Sequence, residues 1–223
     1  MNLDLPYNLD FTQRVVIDTD ALAWQGSPAD GVRRRWLERE RAEAGRATSV
    51  VEYLPGARFA PHAHPGGEEF IVLSGEFEDE TGVFPAGSYA RNPVGSSHAP
   101  ASAPGCRLFV KLGHLDPADQ TRVAIRPAEH AWRPGLVPGL TVLPLAQFGT
   151  THAALVRWAP GTVFKLHTHF GGEEIFVIDG VFEDEHGTYP AGTWIRSPHG
   201  SHHAPWSTQG CTLYVATGHL PAP

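Results

Sequence analysis

The stretch G-A-R-F-A-P-H-A-H-P-G-G-E-E-F-I-V-L-S-G, residues 56–75, decides how this chain is interpreted. Residues 161–180 read G-T-V-F-K-L-H-T-H-F-G-G-E-E-I-F-V-I-D-G and share its pattern G-x5-H-x-H-x3-E-x6-G. A second shared pattern, G-x5-P-x-G-x2-H, follows at residues 87–98 and 192–203. Equivalent positions are 105 residues apart from residue 56 onward and 108 residues apart before it, which indicates two copies of one structural unit.

Each copy places three histidines and one glutamate at matched positions. Imidazole nitrogens and a carboxylate oxygen suit a borderline divalent cation. The predicted metal ligands are His62, His64, Glu68 and His98 in copy one, and His167, His169, Glu173 and His203 in copy two. We therefore expect two divalent metal ions per chain, zinc or iron in the first place, with manganese or nickel as alternatives. The sequence assigns no catalytic residue.

The choice of glutamate depends on the alternation of side chains along a strand. Residues two apart in a strand point to the same face, so His62, His64 and Glu68 share one face. Glu69 has the opposite parity and is expected to point away, unless the adjacent Gly-Gly pair forms a bulge. The same argument favours Glu173 over Glu174 in copy two.

Longer strings around these residues resemble those of the ChrR-like branch of the cupin superfamily. Copy one reads H-P-G-G-E-E-F-I-V-L-S-G-E-F-E-D-E-T-G and R-N-P-V-G-S-S-H-A-P, and copy two reads H-F-G-G-E-E-I-F-V-I-D-G-V-F-E-D-E-H-G and R-S-P-H-G-S-H-H-A-P. The resemblance covers nearly the whole chain. It implies two tandem cupin jelly-roll β-barrels with a 3-His-1-Glu metal site inside each, and relatives among ChrR anti-sigma factors and acetylacetone-cleaving dioxygenases.

Short β-branched and aromatic runs bounded by Gly and Pro predict an all-β, antiparallel fold. The repeat divides the chain into domains 1–118 and 119–223. Three residues are missing from copy two before its ligand segment, and we place that deletion in a hairpin turn. The segment 32–41 contains strong helix formers, but its partner in copy two contains a proline and β-branched residues. We therefore predict a strand for both.

Composition limits the classes of partner. A net charge of −7 argues against nucleic acid and anionic membranes, and no apolar run approaches the roughly 18 residues of a membrane-spanning helix. The N-terminus lacks the features of a signal peptide, so we expect a cytoplasmic protein. Cys106 and Cys211 occupy equivalent apolar strands, and we expect buried free thiols rather than a disulfide.

The acidic runs, two arginines and two histidines each allow two interpretations. We interpret the acidic runs at residues 78–80 and 183–185 as solvated hairpin tips, although clustered carboxylates also bind hard cations. Arg91 and Arg196 either orient the glutamate or anchor an anion, or they pair with the acidic hairpin, which we favour. His199 and His202 are interpreted as surface loop residues, with a proton-carrying role as the alternative.

Two functions compete at this point. The first is a metal-dependent, dioxygenase-type enzyme acting on a small organic molecule. The second is a non-catalytic sensor or regulatory protein, as the resemblance to ChrR implies. A sigma factor is not an expected partner, because residues 1–50 contain no His or Cys with which to form the zinc anti-sigma domain of that family. A homodimer formed through strand edges stays open as an alternative.

Overall fold

A computed structural model describes residues 6–41 and 44–222, in which the regular elements are strands and two short 3-10 helices, Thr19–Ala21 and Pro127–Glu129. The first eleven strands are β1 (Val15–Asp18), β2 (Gln25–Gly26), β3 (Val32–Arg39), β4 (Ala47–Tyr53), β5 (His62–His64), β6 (Glu68–Asp79), β7 (Gly82–Pro85), β8 (Tyr89–Asn92), β9 (Ser96–His98), β10 (Cys106–Leu112) and β11 (Val123–Ile125). The other eleven are β12 (Arg133–Pro134), β13 (Leu140–Phe148), β14 (Thr151–Trp158), β15 (Thr162–Val163), β16 (His167–His169), β17 (Glu173–Asp184), β18 (Gly187–Pro190), β19 (Thr193–Ser197), β20 (Ser201–His203), β21 (Trp206–Ser207) and β22 (Cys211–Thr217). All strand pairs are antiparallel, so the predicted fold class is confirmed.

The chain divides into two compact units. Unit 1 comprises the described residues within Met1–Leu9 and Ala21–Glu129, and unit 2 comprises those within Asp10–Asp20 and His130–Pro223. The terminal strands are exchanged between the repeats. β1, from the start of the first repeat, pairs with β19 of unit 2, and β11, from the start of the second repeat, pairs with β8 of unit 1.

The main sheet of unit 1 has the strand order β11-β8-β6-β10-β4-β3-β2, and β5 and β9 form a separate pair. The first half of β6 pairs with β8 and β10, whereas its second half pairs with β7. The strand bends between these halves at Gly75, which has a φ of 74°. Any Cβ at that position would lie 2.0 Å from the carbonyl oxygen of Gly105, so the bend requires glycine.

Unit 2 repeats this arrangement with the order β1-β19-β17-β22-β14-β13-β12, with β15, β18 and β21 as branches and β16 and β20 as the separate pair. Neither main path closes on itself. The described strands therefore form open, jelly-roll-like units, which agrees with the jelly-roll architecture predicted from the sequence. Within the described residues, no helix has the length and apolar character needed to cross a membrane.

Strand β3 confirms the strand prediction for a segment whose local preference is helical. It pairs with β4 from Val32 to Arg39, with one bulge, and its residues Trp36 and Leu37 are buried. Pairing and burial therefore outweigh the helix propensity of its Arg and Glu residues. The deletion also lies where it was predicted, because residues 40–46 connect β3 to β4 while residues 149 and 150 alone connect β13 to β14.

Each unit has its own apolar core, built largely from the strands that face each other within it. Cys106 and Cys211 belong to these cores as free thiols, as predicted. Burial raises the pKa of both thiols to about 11, which keeps them protonated and makes them packing residues rather than nucleophiles.

Candidate metal centres

One pair of short strands positions the histidines of the second ligand set, which we call site 2. In unit 2, β16 runs antiparallel to β20, so that His167 lies opposite His203. Alternation along β16 turns His167 and His169 to one side and leaves Thr168 exposed on the other. The chain then turns through a Gly-Gly pair, and β17 begins at Glu173. Three segments thus deliver four side chains to one place.

The four donor atoms of site 2 converge. One potential ligand atom from each residue lies within 4.8 Å of the others. Oε2 of Glu173 is 3.4 Å from Nε2 of His169 and 3.5 Å from Nε2 of His203. Ligands bound to one ion at about 2.1 Å lie roughly 3.0–3.4 Å apart for octahedral to tetrahedral angles. These separations therefore fit a shared divalent cation.

The other ring nitrogens of site 2 explain why Nε2 faces the centre. Nδ1 of His167 lies 2.9 Å from the carbonyl oxygen of Lys165, and Nδ1 of His203 lies 3.3 Å from Oδ2 of Asp184. Nε2 of His169 is buried and makes no hydrogen bond with any described residue. A buried polar atom without a partner is costly, and a bound cation would satisfy it.

The first ligand set, site 1, is built the same way on β5, β9 and β6 of unit 1. Nε2 of His64 lies 3.0 Å from Nε2 of His98, and Nδ1 of His62 contacts the carbonyl oxygen of Ala60 at 2.9 Å. Oε2 of Glu68 is 3.6 Å from His64 Nε2 and 3.7 Å from His98 Nε2. Here the group within 4.8 Å comprises the three histidines, with Glu68 beside two of them.

Glu69 and Glu174 lie on the opposite face of their strands from the ligand sets. Glu69 accepts a hydrogen bond from the hydroxyl of Tyr89 at 2.9 Å and pairs with Arg91 at 3.4 Å. Glu174 accepts a hydrogen bond from Nε1 of Trp194 at 2.8 Å. Adjacent glutamates thus point to opposite strand faces, and no bulge interrupts the pairing at Glu68–Glu69 or Glu173–Glu174.

Arg91 does not pair with the acidic hairpin, and that prediction was wrong. Its guanidinium binds Glu69 and the carboxylate of Asp119 instead. Arg196 stacks 4.7 Å from the ring of Phe11 and donates to the carbonyl oxygen of Asp10. Both arginines therefore face away from the ligand sets, because they share the parity of Glu69 and Glu174 across the β6–β8 and β17–β19 pairs.

The acidic runs contain functional residues that the sequence interpretation missed. Rather than being solvated, the carboxylates of Asp79 and Asp184 are buried, with side-chain exposures of 1% and 2%. Asp79 Oδ2 lies 3.0 Å from Nδ1 of His98, as Asp184 lies against His203. The neighbouring Glu80 accepts a hydrogen bond from the backbone N–H of Ala99. In each unit, the aspartate of the acidic hairpin contacts the ring of the last histidine. The glutamate that follows it accepts a hydrogen bond from the backbone N–H of the residue after that histidine.

Strand parity contains the signal for these aspartates. Phe77 and Phe182 are buried core residues, and Asp79 and Asp184 follow them by two positions on the same strand face. An inward carboxylate nineteen residues before an inward histidine predicts a carboxylate–histidine pair of the kind that orients metal ligands. His199 and His202 supply no such partner. His199 accepts a backbone hydrogen bond from Gly171, and His202 is exposed.

Each unit contains one arginine next to the strand that it receives from the other repeat, and the two arginines have different partners. In unit 2, Arg14 donates to Tyr189 at 2.8 Å and to Asp184 at 3.3 Å. Its repeat equivalent in unit 1, Arg122, donates instead to Oδ1 of Asn92 at 3.0 Å, and Asn92 donates to Glu68 at 3.1 Å. Arg14 thus braces the aspartate behind a histidine, whereas Arg122 braces the glutamate itself.

Burial sets the protonation states that a cation would meet. Burial lowers the pKa of His169 to about 3 and raises the pKa of Glu173 to about 7. Burial also lowers the pKa of His64. By itself burial would raise the pKa of Asp184, but hydrogen bonds from His203 and Tyr189 outweigh it and lower that pKa to about 2. Site 2 therefore offers a neutral imidazole at His169 and an ionised aspartate behind His203.

Site 2 opens into a cavity of about 290 Å³ in unit 2. Its lining includes all four residues of the ligand set and Thr217, and the other eleven lining residues are apolar. No Lys or Arg is among the described residues that line it. The space has the size and the mainly apolar lining of a pocket for a small organic molecule, directly beside the ligand set.

Comparison with known proteins gives a consistent result at the level of the family. The ChrR Cupin-like domain family matches the chain twice, over residues 12–116 and 120–221. No curated protein matches the chain.

Several solved structures share the fold. A protein from Nostoc punctiforme PCC 73102 that is provisionally named a dioxygenase superimposes with a TM-score of 0.80 at 15% identity, covering 100% of this chain and 90% of that one. Oxalate decarboxylase from Lactobacillus farciminis gives 0.67 at 14% identity, covering 98% and 90%. A mutant salicylate 1,2-dioxygenase from Pseudoaminobacter salicylatoxidans gives 0.63 at 12% identity, covering 82% and 75%. At these identities the likeness shows the fold alone.

Proposed function

Because this chain belongs to the ChrR cupin-like family and contains its domain twice, we propose that it is a metal-dependent, dioxygenase-type enzyme acting on a small organic molecule. The cavity of about 290 Å³ that adjoins all four residues of site 2 is the observation that carries the proposal. A substrate-binding metal centre needs such space beside its ligands, whereas a structural centre is closed by them. The fold shared with the Nostoc protein and with salicylate 1,2-dioxygenase agrees with this reading.

We further propose two divalent ions per chain, one held by site 1 and one by site 2. Three neutral imidazoles and one carboxylate give each loaded site a charge of +1 and leave room for further ligands in a six-coordinate shell. Iron would supply redox chemistry with O₂, and zinc would supply Lewis acidity alone; manganese and nickel also fit such donors.

The chain's own residues have separate roles in this proposal. Asp184 holds the ring of His203 so that Nε2 points inward, which keeps one ligand oriented before a cation or substrate binds. The apolar walls exclude water from the reacting molecule. Thr217 pairs with Glu173 across the sheet and lines the cavity, so its hydroxyl is positioned to meet an oxygen of the substrate.

The second candidate function is a non-catalytic metal- or ligand-sensing regulatory protein. The family description, which refers to ChrR, favours it. In that case the cavity of unit 2 would hold a signal molecule that leaves unchanged. A cytoplasmic location, a small-molecule partner and the absence of nucleic-acid, membrane and sigma-factor partners belong to both candidates as predictions.

Metal analysis of anaerobically purified protein, combined with oxygen uptake, separates the two candidates. The panel comprises β-diketones, flavonols and hydroxyacetophenones, and the matched control is His169→Ala, which lacks one ligand of site 2. Bound iron with oxygen uptake that disappears in the control supports the enzyme. Tightly held zinc with no oxygen uptake on any compound supports the sensor.

A further inference from the structure

The interiors of the two units differ at positions that strand register makes equivalent. Ile175 pairs with Val215 in unit 2, as Phe70 pairs with Val110 in unit 1. Thr217 pairs with Glu173, as Leu112 pairs with Glu68. In both cases the smaller side chain belongs to unit 2 and lines its cavity.

The larger residues of unit 1 belong to its apolar core. Phe70 is 1% exposed, and its ring centroid lies 4.8 Å from that of Phe77 and 5.5 Å from that of Phe84. Leu112 packs against the same apolar cluster. Phe70 and Leu112 therefore place more side-chain volume beside site 1 than Ile175 and Thr217 place beside site 2.

A third pair differs in charge. Val142 lines the cavity of unit 2, and Arg34 stands at its register position in unit 1, since Val142 pairs with Val156 as Arg34 pairs with Val51. Among the described residues that line the unit 2 cavity there is consequently no Lys or Arg to neutralise a carboxylate, sulfonate or phosphate on the body of a ligand, and burying an unpaired charge there would be costly.

The mouth of the cavity is apolar as well. Leu136 lies in the loop between β12 and β13, lines the cavity and is nevertheless 89% exposed. The equivalent loop residue of unit 1 is Pro28. An approaching molecule therefore meets an aliphatic surface at the opening of unit 2, continuous with the apolar wall behind it.

We infer that the organic substrate binds in unit 2 alone, that it is an uncharged and mainly apolar molecule with one oxygen-bearing end, and that Ile175 and Thr217 determine this selectivity. A benzene molecule occupies a cavity of about 150 Å³, so the volume here suits roughly a dozen non-hydrogen atoms. The inference rests on the proposed function, which it deepens by naming the unit and the substrate class. Site 1 then has a supporting role, holding a cation without access for an organic molecule.

The test exchanges residues between the units and measures binding of a probe to the full, zinc-loaded chain by fluorine NMR. The probes are 4-fluorotoluene and its weakly coordinating anionic counterpart 4-fluorobenzenesulfonate. One variant, Ile175→Phe/Thr217→Leu, gives unit 2 the residues of unit 1, and the matched control, Phe70→Ile/Leu112→Thr, does the reverse. Both substitution sets use residues that the other unit already accommodates.

We expect the unmodified chain to bind one equivalent of 4-fluorotoluene. The unit 2 variant should bind it at least tenfold more weakly while it retains two zinc ions, and the control should show no weakening. The sulfonate should bind at least tenfold more weakly than 4-fluorotoluene. Unchanged 4-fluorotoluene binding in the unit 2 variant, equal loss in the control, or tighter binding of the sulfonate overturns the inference.

Crystals of the unmodified protein under xenon pressure give a second measurement that needs no variant. Xenon in the unit 2 cavity and not beside site 1 supports the inference, and the reverse distribution refutes it. Probe binding in unit 2 without oxygen uptake on any compound would remove the dioxygenase proposal and leave the binding inference intact. Oxygen uptake that persists undiminished in the unit 2 variant would remove the binding inference and leave the dioxygenase proposal intact.

Discussion

Site 1 and site 2 contain the same four ligand types at the same spacing, yet different groups support their glutamates. Glu68 accepts a hydrogen bond from Asn92, which Arg122 holds in turn. In unit 2, Ser197 replaces the asparagine, and the equivalent arginine is bound to Asp184 and Tyr189 instead. The repeat therefore keeps the donor set constant, while the hydrogen bonds behind it and the space in front of it have diverged.

The different surroundings of the two sites show how one fold can separate retention of a cation from binding of a second molecule beside it. In unit 1 the glutamate accepts a hydrogen bond from a side-chain amide, and Phe70 and Leu112 stand where unit 2 has Ile175 and Thr217. In unit 2 the glutamate is buried next to an open apolar cavity. A braced site with bulkier neighbours favours retention of its ion, and a site beside a cavity allows a second molecule to approach.

Replacing the glutamates of the two ligand sets tests the basis of the comparison and should have the largest effect on metal binding. We expect Glu68→Gln to weaken metal binding at site 1, and Glu173→Gln at site 2, by about 100-fold or more, because each removes a negatively charged donor rather than an outer-shell partner. Glu69→Gln, one residue away, should retain both ions. Metal titrations followed by mass spectrometry measure this. Loss of metal in Glu69→Gln with retention in Glu68→Gln would contradict the face assignment.

Removing the aspartates behind the last histidines should have the next largest effect. Asp79→Asn and Asp184→Asn should each lower metal affinity by about 10–100-fold, and only in the unit concerned, because the amide no longer stabilises and orients the ring. Competition with a chelator gives the affinities. Full affinity in both variants would mean that the aspartates only shape the hairpins.

The arginines sharpen the comparison between units. Arg14→Gln should weaken site 2 a few-fold and leave site 1 unchanged, whereas Arg122→Gln should do the reverse, since each lies one hydrogen bond behind the group that contacts the ligand set. The same chelator competition applies, with the two variants as controls for each other. An effect of Arg14→Gln on site 1 would contradict the strand exchange.

The smallest expected effect is a dependence of stability on pH in metal-free protein. Glu173 has a folded-state pKa of about 7 against an ordinary value of 4.5. A raised carboxyl pKa gives stability that is complete below 4.5 and is lost as pH rises through 7. Glu173→Gln should therefore unfold on the order of 5 °C higher than the unmodified metal-free protein at pH 8, and at a similar temperature at pH 4. A higher midpoint for the variant at pH 4 alone would contradict the assigned burial effect.

Much of the fold was accessible from the sequence because the repeat constrains each interpretation twice. The helix formers of 32–41 are overruled by the proline and β-branched residues of 140–149, and the structure has a strand in both places. Parity also separated Glu68 from Glu69, since Glu68 lies beside His64 and His98 while Glu69, on the other face of β6, contacts Tyr89 and Arg91.

The strand exchange and the cavity were not accessible in the same way. A terminal strand can join the sheet edge of either copy, because two repeats with similar sequences present similar edges. The sequence contains the pairs Phe70/Ile175 and Leu112/Thr217, but their effect depends on which neighbours fill the remaining volume. Asp79 and Asp184 were accessible by parity and were missed because clustered acidic residues in a turn are usually solvated.

Metal content of His64→Ala, His169→Ala and the double variant tests the central claim most directly. With two ions in the unmodified chain, we predict one in each single variant and none in the double variant, measured by mass spectrometry on protein reconstituted with excess zinc and then desalted. Two retained ions in the double variant would contradict the account, because neither set of three imidazoles and a carboxylate could then be where the cations bind.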